Sequence, residues 1–158
     1  MAFDLDSVRA DFPILSEQIH GKRLVYLDSG ASAQKPVQVL ERMDQAFRHE
    51  YANVHRGLHT LANRATEAYE GGREAARAFL NAGRAEEIIF TKSATEAINL
   101  VAASFAGPRI GEGDEIVLTI MEHHSNIVPW HFLRERQGAV LNWVDVRDDG
   151  SFDLDAFA

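Results

Sequence analysis

Two stretches of the 158-residue chain carry side chains able to do chemistry. These are Thr91-Lys92-Ser93-Ala94-Thr95-Glu96, and Glu122-His123-His124-Ser125-Asn126 with Ile127-Val128-Pro129-Trp130 behind it. Adjacent imidazoles can ligate a metal, move protons near neutral pH or stack on a flat ring. Neighbours on an extended strand point to opposite faces, so both rings can hardly grip one ion. With no cysteine in the chain and no obvious carboxylate partner, a metal site is disfavoured. His55 and His59 are four apart, but Arg56 and Gly57 between them break the helical zinc-protease signature. His20, His49 and His131 read as paired or solvated structural histidines. The other stretch opens a helix. Ser93 or Thr95 can cap it, and Glu96 puts negative charge in its first turn. Free amides, hydroxyls and the helix dipole together suit a phosphate, although most such helix starts are caps and nothing more. Without Walker glycines or a G-x-G-x-x-G pattern, a nucleotide is not the natural guess.

The elements that must hold these stretches follow from hydrophobic period. Asp6-Ser7 is expected to cap a short helix ending before Pro13. Leu24–Leu27 reads as a strand, followed by the small-residue loop Asp28-Ser29-Gly30-Ala31-Ser32-Ala33. Pro36 opens a helix bearing Val39, Leu40, Met43 and Phe47 at helical spacing. After the polar bend Asn53–Thr60, a helix is expected over roughly Ala62–Asn81 with Gly83 as its stop. Gly71-Gly72 weakens that helix by about 1 kcal/mol per glycine relative to alanine. Then the rhythm becomes β-α-β-α-β: strands Glu87–Thr91, Glu115–Met121 and Ala139–Val146, helices Thr95–Ser104 and Ile127–Gln137. Continuous apolar strands of this kind belong to a parallel sheet covered on both faces. In such a sheet the loops after the strands share one edge, where ligands bind. The two chemical stretches are such loops and should face the same side.

Composition narrows the partners. A formal net charge of −8 argues against nucleic acid, and no apolar stretch approaches a membrane span. The start, Met1-Ala2-Phe3-Asp4-Leu5-Asp6, lacks the character of a signal or transit peptide, which leaves the cytoplasm by elimination. No repeat or linker breaks the chain. Asp153–Ala158 looks like the first turn of a further helix, so the chain is expected to be a fragment.

In order and spacing, several motifs resemble one family: Asp11-Phe-Pro-Ile-Leu15, Tyr26-Leu-Asp-Ser-Gly-Ala-Ser-Ala-Gln-Lys-Pro36, His55-Arg-Gly-Leu-His-Thr-Leu61, Thr95-Glu-Ala-Ile-Asn-Leu-Val101 and Glu122–Trp130. They resemble cysteine desulfurases, in particular the SufS-type branch, within the class V aminotransferase group of pyridoxal 5'-phosphate (PLP) enzymes. The resemblance runs from about residue 4 to the last residue. It implies an α/β, three-layer PLP-dependent transferase (aspartate aminotransferase-like, fold type I) large domain. Residues 1–25 would form an N-terminal arm and helix, and 26–158 a truncated part of the PLP-binding domain.

The activity implied is conversion of L-cysteine to L-alanine. The sulfur passes to an enzyme cysteine and on to an acceptor protein for iron–sulfur cluster assembly, in a homodimer. Carried over by resemblance, Ala94 and Thr95 would hold the cofactor phosphate and His123 would stack on its ring as the catalytic histidine. Gly30 and Ala31 would lie near the substrate, and His55 and Arg56 near the site's mouth or the dimer interface. Where relatives often show Arg-Gly-Thr-Thr-Glu, this chain has Lys92-Ser-Ala-Thr-Glu96, removing one phosphate-side hydroxyl and moving another. The family's cofactor lysine, pyridine-nitrogen aspartate, carboxylate-binding arginine and persulfide cysteine are expected beyond Ala158, so the fragment alone should be inactive. Two alternatives stay open: another class V enzyme (aminotransferase, epimerase or lyase), or a non-catalytic interaction domain of the same fold.

Overall fold

A carboxylate at Asp4 accepts the amide of Ser7 at 3.1 Å and starts α1, Leu5–Ala10. Asp6 and Ser7 therefore lie in its first turn rather than capping it, because the acceptor must precede the amide it satisfies. The computed structural model describes residues 4–157. They divide into two compact units, with the boundary between Ile88 and Ile89.

In the first unit, β1 (Gln18–Ile19) and β2 (Lys22–Arg23) form a small antiparallel hairpin. Its two-residue turn, His20-Gly21, takes positive φ at both positions, the backbone that matches strand twist in tight hairpins. The strand expected at Leu24–Leu27 does not form. Beyond the Leu24 amide, which donates to Glu17 O at 3.0 Å, no described strand lies beside it to complete a ladder. α2 spans Val37–Gln45 directly after Pro36 and runs on through a wider π-type turn, Ala46–Glu50.

α3 spans Thr60–Leu80. It opens earlier than hydrophobic period suggests because His59 Nδ1 accepts the Ala62 amide at 3.3 Å. It stops at Asn81, whose φ of 55° and ψ of 34° make a left-handed cap, so Gly83 is not the stop. Asparagine tolerates that conformation better than most residues.

In the second unit, α4 (Ala94–Leu100) continues as a π-type segment, Val101–Ala106. β3 (Glu115–Thr119), α5 (Val128–Gln137) and β4 (Val140–Val144) form the β-α-β unit, and α6 (Leu154–Phe157) closes the described chain. β3 and β4 are parallel, in register from Glu115 opposite Val140 to Thr119 opposite Val144. Ala106, Leu133 and Ala139 form a buried cluster, with Ile110, Ile116 and Trp130 packed on it. The stretch expected as a strand at Glu87–Thr91 joins no sheet among the described residues, and Ala85–Glu87 is a 3-10 turn. Apolar character makes a segment able to join a sheet, but a strand exists only when a neighbour takes its hydrogen bonds.

Candidate functional site

β3 ends sooner than its apolar run. Ile120 still donates to Val144 O at 3.1 Å, and the chain then turns. The histidines are therefore not strand residues, and strand alternation does not decide where they point. His123 is extended (φ −67°, ψ 147°) and caps the 3-10 turn His124–Asn126. Its Nδ1 accepts the Ser125 amide at 3.2 Å and lies 3.0 Å from Ser125 Oγ. A ring nitrogen that accepts an N–H carries no proton, so neutral His123 keeps its proton on Nε2. The ring is exposed, as is that of His124, whose centroid is 6.0 Å away at an interplanar angle of 66°.

The other loop is built by its cap. Ser93 Oγ accepts the Glu96 amide at 3.2 Å, which settles the capping residue as Ser93 rather than Thr95. Glu96 Oε2 reaches back to the Lys92 amide at 2.7 Å, and its other oxygen is 3.7 Å from Lys92 Nζ. That variant of the capping box turns the carboxylate away from the first turn. Among the described residues no hydrogen bond engages the amides of Ala94 and Thr95 or the Thr95 hydroxyl. The turn His124–Asn126 packs against α4. That contact exists although the first of the two expected strands does not pair.

One group was not legible as part of this site. Glu122 accepts Thr119 Oγ1 at 2.7 Å and Asn126 Nδ2 at 2.8 Å, while Asn126 Oδ1 accepts Trp130 Nε1 at 3.0 Å. The bonds from Asn126 and then Thr119 hold the Glu122 carboxyl below the usual glutamate range. The i, i+4 spacing of Glu122, Asn126 and Trp130 was the available signal, but it crosses an irregular turn where helical spacing is not a guide.

Gly30, Ala31, His55 and Arg56 lie in the first unit. Gly30 and Ala31 occupy an exposed turn in which the Ala31 and Ser32 amides donate to Asp28 O at 3.2 and 3.0 Å. The Tyr26 hydroxyl braces it, 2.6 Å from Ser32 O. His55 is held at a positive φ of 66°. Its amide donates to Thr66 Oγ1 at 2.9 Å, and its Nε2 is 3.0 Å from Glu70 Oε1. Tyr69 meets its ring edge-on at 5.8 Å. Arg56, next in the chain, is exposed. Among the described residues no group of three or more His, Asp or Glu side chains could hold a metal ion, and no helix is long and apolar enough to cross a membrane.

The model of the aminotransferase class-V family matches residues 25–158. The chain belongs to the aminotransferase class-V family. Among curated members, a cysteine desulfurase of Pectobacterium carotovorum is 51% identical over 154 residues, covering 98% of this chain and 38% of that protein. Among solved structures, the apo cysteine desulfurase of Thermococcus onnurineus NA1 superposes with a TM-score of 0.86 at 37% identity, covering 99% of this chain and 37% of that one. The Escherichia coli cysteine desulfurase CsdA gives 0.79 at 37% identity, covering 99% and 38%. This class-V chain thus spans well under half the length of the relatives it matches. Its fold is a portion of the PLP-dependent transferase fold type I, as the motifs implied.

Proposed function

We propose that this class-V chain is part of a cysteine desulfurase of the SufS type, working with PLP on L-cysteine and passing sulfur toward iron–sulfur cluster assembly. The observation that carries the reading is the packing of the turn His124–Asn126, which His123 caps, on α4. A helix start suits an anion and an exposed flat ring suits a pyridine, the two fittings a phosphorylated pyridine needs. The donor set fits that group. The Ala94 and Thr95 amides and the Thr95 hydroxyl are unclaimed within the described residues, and Glu96, the nearby anion, is committed to Lys92.

When bound, PLP supplies an electron sink for charge developing on a substrate carbon. The chain's own residues do the rest. Thr95 and the amides about Ala94 would hold the phosphate. His123 would lie against the ring, offering an exposed imidazole for proton transfer. Gly30 and Ala31 offer a turn without bulky side chains to the substrate, and His55 holds the backbone that presents Arg56. The chain has no cysteine, so the sulfur-accepting thiolate comes from outside these residues. We place residues 1–25 as an arm, 26–158 as part of the large domain, and the working protein as a cytoplasmic homodimer that uses a separate sulfur-acceptor protein.

The test is L-alanine formation from L-cysteine by the full-length protein with and without PLP. Cofactor-dependent alanine with one equivalent of transferable sulfur is expected. Transamination or racemisation without sulfur release would refute the desulfurase reading.

A further inference from the structure

The hydrogen-bond chain behind His123 has only one consistent polarity. Trp130 Nε1 can only donate, so the Asn126 amide oxygen must accept it. The amide nitrogen then faces Glu122 and donates to Oε2 at 2.8 Å. Thr119 Oγ1 approaches Oε1 at 2.7 Å, so the carboxylate is where the donors converge. Both ends are rooted. Thr119 is the last residue of β3, and Trp130 packs its ring on the buried cluster of Ala106, Leu133 and Ala139. The clasp spans residues 122–126 and encloses His123, whose carbonyl accepts the Asn126 amide at 2.7 Å. The described polar contacts of the His123 ring go only to Ser125, inside the same turn. The ring's direction relative to the sheet is therefore inherited from whatever fixes the turn.

We propose that Glu122 and Asn126 are positioning residues, a carboxylate–amide clasp that joins β3 to α5 and sets the face His123 presents to the cofactor. This rests on the assignment of His123 made above. The clasp makes a prediction that a merely space-filling turn does not. Asn126→Asp puts a carboxylate against a carboxylate and breaks it. Adding Glu122→Gln restores a donor to that contact: the new amide nitrogen bonds the aspartate, while its oxygen still accepts Thr119. Trp130 is satisfied in both the native and the double variant.

The experiment uses the full-length protein as Asn126→Asp, Glu122→Ala, Glu122→Gln/Asn126→Asp and His123→Ala. Two readouts are taken: the His123 ring carbon–proton NMR signal in the apo protein, identified by its loss in His123→Ala, and the visible circular-dichroism band of bound PLP. Asn126→Asp and Glu122→Ala should shift the ring signal, weaken the band and lower kcat by about tenfold or more with KM little changed. The double variant should return all of them to wild type. A wild-type ring signal in Asn126→Asp, or a folded double variant that recovers nothing, overturns the clasp; if Asn126→Asp fails to fold, the double variant and Glu122→Ala decide. A His123→Ala protein with normal band and turnover would instead sink the assignment of His123, and the apo ring signal separates the two failures.

Discussion

Gly57 lies so close to Ala62 that a β-carbon built on the glycine would stand 2.2 Å from the alanine methyl. Ala62 is fully buried in the first turn of α3, and neither partner has a flexible end to move aside. Gly57 is thus required by contact, not by backbone conformation, and the contact seats the turn that carries His55 and Arg56. Gly57→Ala should destabilise the protein by about 1–3 kcal/mol, the usual scale of overpacking. Ala62→Gly added to it should recover part of the loss. Denaturant midpoints of the single and double variants measure this, and an unchanged midpoint for Gly57→Ala would contradict the packing.

The start of α4 separates capping from ligand binding. Ser93 supplies the cap and Thr95 does not. Ser93→Ala should cost about 1 kcal/mol of stability through the lost cap. Thr95→Ala should leave the melting temperature of the apo protein nearly unchanged and weaken PLP retention. Thermal melts beside equilibrium dialysis of PLP test the pair, and the reverse pattern would assign the two hydroxyls wrongly.

What the sequence allowed one to read was local, and its failures have physical causes. Helix α5 and the strands β3 and β4 were legible because apolar period is local, and Gly138 at φ 76° ends the helix. Leu24–Leu27 and Glu87–Thr91 carry the same apolar signal, yet no described strand takes their hydrogen bonds. Pairing is non-local and leaves no mark on the segment itself. The phosphate-like helix start was visible because capping chemistry is local. The Glu122 clasp was not, because its partners meet across an irregular turn. The strand geometry expected for the histidine pair does not hold, since both residues sit beyond β3.

Exposed apolar surface bears on behaviour in isolation. The buried hydrophobic residues include Ala62, Ala102, Ala106 and Ala139, while Leu27, Leu58 and Phe79 are 92%, 101% and 89% exposed. Among the described residues the parallel pair of β3 and β4 also has unpaired strand edges. A polypeptide of these 158 residues alone should associate rather than sediment as a monomer. Sedimentation velocity over a concentration series tests this. A sharp, concentration-independent monomer boundary with cooperative unfolding would count against it.

Glu122 gives the turn a pH dependence of known sign. Bonds from Asn126 and Thr119 hold its carboxyl below the ordinary range, so the folded state favours the ionised form. Its contribution is complete above the unfolded value of about 4.3 and disappears as pH falls through the lower folded value. Wild-type protein should therefore lose more stability than Glu122→Gln between neutral pH and about pH 3. Denaturation curves at both pH values give the difference, and equal losses would show that the clasp carboxylate is not favoured in the folded state.

The histidine pair offers the sharpest test of the site. Only His123 has its Nδ1 fixed, by Ser125, which leaves Nε2 protonated and exposed. His124 lies inside the 3-10 turn, with no comparable bond to orient its ring among the described residues. If His123 both stacks and transfers a proton, the two functions come apart on substitution. His123→Ala in the full-length protein should lower turnover by about 10²-fold or more, the scale of a positioned proton-transfer group. His123→Phe keeps a flat partner without a titratable nitrogen, so it should retain PLP while remaining slow. His124→Ala should stay near wild type in both respects. Alanine formation and bound-cofactor absorbance, measured side by side, decide it: a crippled His124→Ala beside a normal His123→Ala would reverse the assignment. A fully active His123→Phe would leave stacking as the whole of the residue's role.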